Sequence, residues 1–551
     1  MEEAVRLLSA GAMPLRSLPE ASDPSPPPAA LLRGRFEGTT LLTLTGRTLI
    51  VLGGAYALRA LTDSGRVPVQ AGLLLGVLYA IGWFAAADRA SRARPQPSLS
   101  GFFHGVAAVV IGLPLLWEAT THFKVVSPAT SAIGLAALTA IGLAVSAHRR
   151  LPGLAAVVML GSLIGTGAFI VRVGHPLPFA AGLLVTGAAT HWLAGARSWW
   201  WIQWPPALAV NVVLIGLISR AARLEPLDSP SLVLGLASLC AAAYVSPVVW
   251  RTIVGFGRLR PFDVVEASLS VALGSAGALL ITERAMSSTA HTMVAGLILL
   301  TAAGAYVAAF AGRHPRRSSP RTVEFFSTVA LVLVIVGVTA AAAPAPRVWV
   351  LSALTTAAMF LGARFSLPLL SLHGAVFNLS AASASGLLLL SAVVWLSGHQ
   401  WPPLTWNQVL VVGVTIACAA FAPAGVNRLT HGASAWPGLV ARLVVALTLI
   451  VSVSGLLVRG AGWLMGDPAV GLGALAPVKT AILSGAALVL AFVSRSQRLV
   501  EFGWLVYPVL VLGAVKLALD DLRHSTPGAL FVAFAAYGAA LVLAPRILRG
   551  R

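Results

Sequence analysis

His291–Ala311 reads HTMVAGLILLTAAGAYVAAFA, residues 312–322 read GRHPRRSSPRT, and Val323–Ala343 reads VEFFSTVALVLVIVGVTAAAA. Two apolar runs of 21 residues flank a connection that carries Arg313, Arg316, Arg317 and Arg321 and no acid. About 20 apolar residues in a helix cross the hydrocarbon of a bilayer. A helix satisfies its own backbone polar groups there, as an irregular chain does not. Arginines crowded between two such runs mark a connection retained on the cytoplasmic side.

The pattern repeats outward in both directions. Of 551 residues, 58% are hydrophobic and 10% charged, and the mean hydropathy is +0.87. A water-facing surface needs about 25% charge, so a soluble globule is excluded; a disordered chain is excluded because the sequence is apolar. At one apolar run every 25 to 30 residues or so, the length predicts about 18 spans. They run from Leu41–Ala60 and Val67–Ala87, through Phe377–Leu396 and Gln408–Ala424, to Leu499–Leu519 and Pro527–Leu543. The expected fold is an all-α polytopic transmembrane helix bundle. Residues 1–39 read as a Pro-rich cytoplasmic tail with no secretory leader, and residues 40–551 as a single membrane domain.

A net charge of +20 follows from 38 basic and 18 acidic residues. With both termini on one side, the alternating connections place 25 basic residues on that side and 10 on the other, with Arg47, Lys479 and Lys516 inside spans. The excess predicts cytoplasmic termini. Basic residues sit in the connections and form no separate face, so nucleic acid is not an expected partner. The expected partners are the bilayer and other membrane proteins. Cys240 and Cys418 lie singly in apolar runs and read as small core residues. Stretches such as Gly161–Gly167 and Gly274–Gly277 read as close helix packing, and Trp199–Trp201 with Trp204 as an interfacial belt.

Chemistry in such a chain is sought among intramembrane polar residues, which are costly unless paired. Glu118, Glu283, Asp520 and Asp521 fall at the outer ends of spans, and Asp263, Glu266, Glu324 and Glu501 at the inner ends, where interfacial water solvates them. Lys479 follows Pro477 inside an apolar run and reads either as a buried cation that needs a carboxylate or as the start of a short span. Lys516 and Asp520 are four apart and can pair on one helix face. The run Leu367–Leu396 is too long for one upright span; it reads either as one long tilted helix or as a run whose first part, Leu367–Val376, is a broken or re-entrant piece. His373, Asn378, Lys479 and the mid-span amide Asn211 are the candidates for a polar cavity. No phosphate loop, His-Glu-x-x-His, Cys-x-x-Cys or nucleophile elbow occurs, and no cofactor or metal is expected. Asp63, after the first span, sits where lipid-linked glycosyltransferases place a catalytic acid, but its loop is too short for such a domain.

Arg47–Pro68, with its Asp63-Ser64-Gly65 turn before a proline, leads to a Gly-rich span ending Ala87-Asp88-Arg89. Leu512–Asp521 carries a Lys followed by Asp before the final span. These two stretches resemble the first and last hairpins of a family of very hydrophobic bacterial multi-pass membrane proteins with no assigned reaction. The family often has a long N-terminal coiled coil where this chain has the Pro-rich tail. The resemblance implies a bacterial inner-membrane location and no known reaction. The functional expectation is transport or translocation of a small or lipid-linked envelope molecule. A membrane scaffold or complex subunit is one alternative, and an enzyme acting on a lipid-linked substrate the other.

Overall fold

Among the described residues nine helices open on a proline, at Pro128, Pro152, Pro176, Pro230, Pro261, Pro320, Pro344, Pro368 and Pro527. The ring fixes φ near the helical value, and the N–H that proline lacks has no intrahelical acceptor at that position. In the computed structural model, residues 46, 53–54, 59–62, 64–92, 99–224, 229–255, 257–311, 320–396, 403–421, 436–464, 472–496, 502–525 and 527–549 are described. Residues 1–39, most of Leu41–Ala60, Asp63, most of the Arg313–Arg321 connection and Glu501 lie outside them.

Among the described residues there is no strand, and 15 helices are long and apolar enough to cross a membrane; a bent pair raises the number to 16. About 18 spans were expected. The difference arises in two places: Leu41–Ala60 is largely outside the described residues, and Trp406–Phe421, at 16 residues, is short for a crossing.

Contacts divide the chain into two compact units. The first, Met1–Val210, contains α1 (Val69–Ala90), α2 (Leu99–Thr121), α3 (Pro128–Arg149), α4 (Pro152–Val173), α5 (Pro176–Arg197) and the 3-10 turn Trp200–Gln203. Phe84, Leu154, Met159, Leu193 and Ile202 form its largest core. Charges are paired where they meet this core: Arg149 donates to both oxygens of Asp88 at 2.6 and 3.1 Å, tying α3 to the end of α1.

The second unit, Asn211–Arg551, begins within α6 (Trp204–Ala222). It continues through α7 (Pro230–Val249), α8 (Pro261–Ala285), α9 (Ser288–Ala311), α10 (Pro320–Ala341), α11 (Pro344–Arg364), α12 (Pro368–Ala384) and α13 (Leu387–Leu396). Then follow α14 (Trp406–Phe421), α15 (Trp436–Leu464), α16 (Leu472–Val493), α17 (Gly503–Lys516) and α18 (Pro527–Arg549). Two π-helical turns interrupt the regular geometry, Trp250–Val254 after α7 and Leu517–Asp521 after α17. Cores gather around Val348, Leu351, Phe377 and Leu387, and around Ala487, Val506, Leu510 and Ala540.

The run Leu367–Leu396 is two helices meeting at 63°. The break is not in Leu367–Val376, which is helical from Pro368 onward; it lies at Ser385-Gly386, where Gly386 takes φ +73°. The freed backbone groups are satisfied within the protein. Ser385 Oγ accepts from Leu387 N at 3.3 Å, and Gln408 Nε2 donates to Ser385 O at 3.3 Å. Enclosure of this kind is what permits non-helical backbone at membrane depth.

Candidate functional site

Three elements of the second unit converge on one charged cluster. Pro477 opens the stretch of α16 that carries Lys479 and Thr480, and the π turn after α17 carries Asp520 and Asp521. An α-helix places residue i+4 beside residue i, whereas a π turn brings i+5 to that position. Lys516 therefore makes its close ion pair with Asp521, while Asp520 Oδ2 stays 3.5 Å from its Nζ. Asp520 is 33% exposed and Asp521 fully enclosed.

Every polar atom at the centre has a use. Lys516 Nζ also donates to Ala476 O at 2.6 Å and Thr480 Oγ1 at 3.0 Å, and Thr480 Oγ1 donates to Asp521 Oδ2 at 2.5 Å. Lys479, 3% exposed, donates to Trp395 O at 2.8 Å, in the last turn of α13. A cation at a helix C-terminus meets unpaired carbonyls and the negative end of the helix dipole. One buried lysine thus holds the end of the broken span, and the next holds a buried carboxylate.

An apolar groove of about 690 Å³ lies further along α16 from the cluster. Leu449, Val453, Leu457, Ile482, Gly485 and Val489 line it, on α15 and α16. Ser454, also on the groove, accepts from Trp395 Nε1 at 3.2 Å, so the tryptophan whose carbonyl binds Lys479 touches the groove wall. Arg442, nearer the N-terminal end of α15, also lines the groove. From Arg442 to Leu457 the helix rises about 22 Å.

The four cavity candidates take four different sets of partners. Lys479 belongs to the cluster just described. His373 is buried, with Nδ1 2.9 Å from Tyr306 OH. Asn378, on the same helix, accepts from Thr415 Oγ1 at 3.0 Å, and its Nδ2 has no hydrogen-bond partner. Neither residue lines the groove. Asn211 Nδ2 donates to both carboxylate oxygens of Glu266, at 2.9 and 3.1 Å.

Three acids assigned from sequence to interfacial water are enclosed by protein: Asp263 and Glu266 are 1% exposed and Asp521 0%. Their partners replace the water: Arg251 for Asp263, Asn211 and Ser270 for Glu266, and Lys516 and Thr480 for Asp521. In the first unit Glu118 pairs with Arg59 at 2.5 Å beside a smaller cleft lined by Thr62, Leu73, Tyr79 and Leu115. Thr480, Asp521 and Glu266 are the site residues that spacing rules passed over. A signal for one of them was present, since Thr480 directly follows the lysine that sequence singled out.

Comparison with family profiles, with curated proteins and with solved structures finds no match to this chain.

Proposed function

We propose that the chain is a membrane transporter that moves an amphiphilic, lipid-linked or comparably small envelope molecule. In this reading the groove on α15 and α16 takes the apolar part, and the Lys479–Lys516–Asp521 cluster takes the polar part. The observation that carries it is the junction at Trp395. A bent span ends there on a buried lysine, and the same residue's indole contacts the groove wall. Discontinuous helices whose ends face buried charge form the substrate sites of many transporters, because a helix terminus offers polar groups without an added side chain. The basic excess on the side of the termini supports a bacterial inner-membrane orientation with both termini in the cytoplasm.

Ser484, one turn beyond Thr480, is buried, with an Oγ that lacks a hydrogen-bond partner, and lies between groove residues Ile482 and Gly485. A chain in which Cys240 and Cys418 are alanine and Ser484→Cys provides the only thiol is placed in sealed proteoliposomes of known orientation. An impermeant maleimide is applied to each face in turn. Transport by alternating access gives labelling from both faces. A thiol reached from neither face marks a sealed scaffold and removes the proposal.

A further inference from the structure

Glu266 differs from the other buried acids. Asp263 pairs with Arg251 and Asp521 with Lys516, but among the described residues no basic side chain pairs with Glu266. It is 1% exposed, and its partners are the amide of Asn211 and the hydroxyl of Ser270, at 3.2 Å from Oε1. An uncompensated carboxylate in such surroundings is among the most expensive groups to bury. A single positive charge is required at this point.

The amide shows where that charge belongs. Asn211 is 2% exposed, and its Oδ1 has no hydrogen-bond partner, while its Nδ2 is shared between both oxygens of Glu266. A carboxylate accepts only, so it offers nothing to an amide oxygen. A carboxylic acid donates one O–H and accepts through its C=O, which matches a primary amide at two points: N–H to C=O, and O–H to amide oxygen. A small turn of the Asn211 amide makes this cyclic pair and satisfies the orphan oxygen. Separations of 2.9 and 3.1 Å are those of hydrogen bonds, leaving no room for a metal cation between the two groups.

We propose that Glu266 and Asn211 form a proton-binding site, in which a neutral acid–amide pair is the proton-loaded state and release leaves the carboxylate on Nδ2 of Asn211 and Oγ of Ser270. The surrounding groups are consistent with this assignment. From α7, Cys240 and Tyr244 are buried near it, with Cys240 Sγ 4.0 Å from Ser270 Oγ. On its own helix, Asp263 lies one turn earlier on the same buried face, its Oδ1 without a hydrogen-bond partner. Asp263 Oδ2 is held by Arg251, in the π turn after α7, and by the Arg260 N–H at 2.8 Å. α9 brings His291 and Tyr306, which bond Thr282 and His373 respectively. α10 brings Arg321 and Glu324 at its N-terminal end, and α6 brings Arg220, nine residues beyond Asn211. The Asp263–Arg251 pair is the point of exchange, since the Arg251 side chain is 24% exposed while both acids are enclosed.

Infrared spectra of the full chain in proteoliposomes read the proton without reference to any transported substrate, so the result is separate from the transport reading. At neutral pH the wild type shows a protonated-carboxyl C=O band that Glu266→Gln removes. Asn211→Leu keeps the band and moves it to higher wavenumber, because the acid has lost its acceptor. Should Glu266→Gln fail to fold, the Asn211→Leu shift makes the assignment alone. Exchanging choline for sodium in the buffer leaves the band in place. The absence of any band that these variants remove or move overturns the proposal. So does loss of the wild-type band on adding sodium, which would make the bound charge a metal cation.

Discussion

Lys516 is the residue on which the cluster depends, because three of its neighbours are satisfied through it: Ala476 O, Thr480 Oγ1 and the Asp521 carboxylate. Removing one partner of a buried ion pair leaves the other charge uncompensated, at about 3–5 kcal/mol. Lys516→Met is expected to lower the unfolding temperature in detergent sharply, and adding Asp521→Asn should restore much of the loss. Asp520→Asn should cost about 0–1 kcal/mol, since that carboxylate is a third exposed and farther away. Additive losses in the Lys516–Asp521 double variant would show that the two groups are not coupled. Sequence reading identified the lysine and, through the i,i+4 rule, its ion pair with Asp520, but not the closer pair with Asp521. The rule assumes an α-helix, and nothing in Leu517-Ala518-Leu519 announces a π turn. Glu266 was passed over for a different reason: its place near a span end suggested water, and the Asn211 that covers it is 55 residues distant in the chain.

At the scale of elements, apolar length locates the helices well, because a span must be continuous and its proline or arginine punctuation is local. From sequence the long run could be either one tilted helix or a broken span, and the break considered, in Leu367–Val376, lies about ten residues before the one at Ser385-Gly386. Excess length says that a run must tilt or bend. The site of bending depends on where a left-handed residue can be accommodated and its carbonyl satisfied, and Gln408 supplies that from another helix. At Gly386 an added Cβ meets only Gln408 Nε2, at 3.8 Å, so space is not limiting; conformation is. Gly386→Ala is expected to destabilise the chain by about 1–2 kcal/mol through left-handed strain. Gly386→Asn should recover part of that, since asparagine tolerates this region better. An unchanged melting temperature in Gly386→Ala would mean that the bend does not require the left-handed residue.

For the whole molecule, composition alone fixed the class of fold, since a chain with 10% charged residues has too little polarity to face water. What composition does not encode is the division at Val210–Asn211, which falls inside one helix and leaves no mark of linker residues. The proline-opened helices have a consequence at this scale as well. From α1 to α11 the candidate spans run 21 to 25 residues, and 22 residues rise about 33 Å. A helix started by proline resists lengthening by the preceding residue, for which proline disfavours the helical region, so the proline-opened helices among them keep their height when the surrounding lipid changes. Mismatch must then be absorbed by tilt or by deformation of the bilayer, at fractions of a kcal/mol per Å for each helix. Summed over many helices of similar length, this makes the protein a gauge of membrane thickness. In phosphatidylcholine vesicles of graded acyl length its melting temperature should peak near a hydrocarbon thickness of about 30 Å and fall on either side. A flat profile would show that the helix ends yield to the lipid. With such a peak, the fatty-acid composition of the host membrane becomes a physical control on the protein.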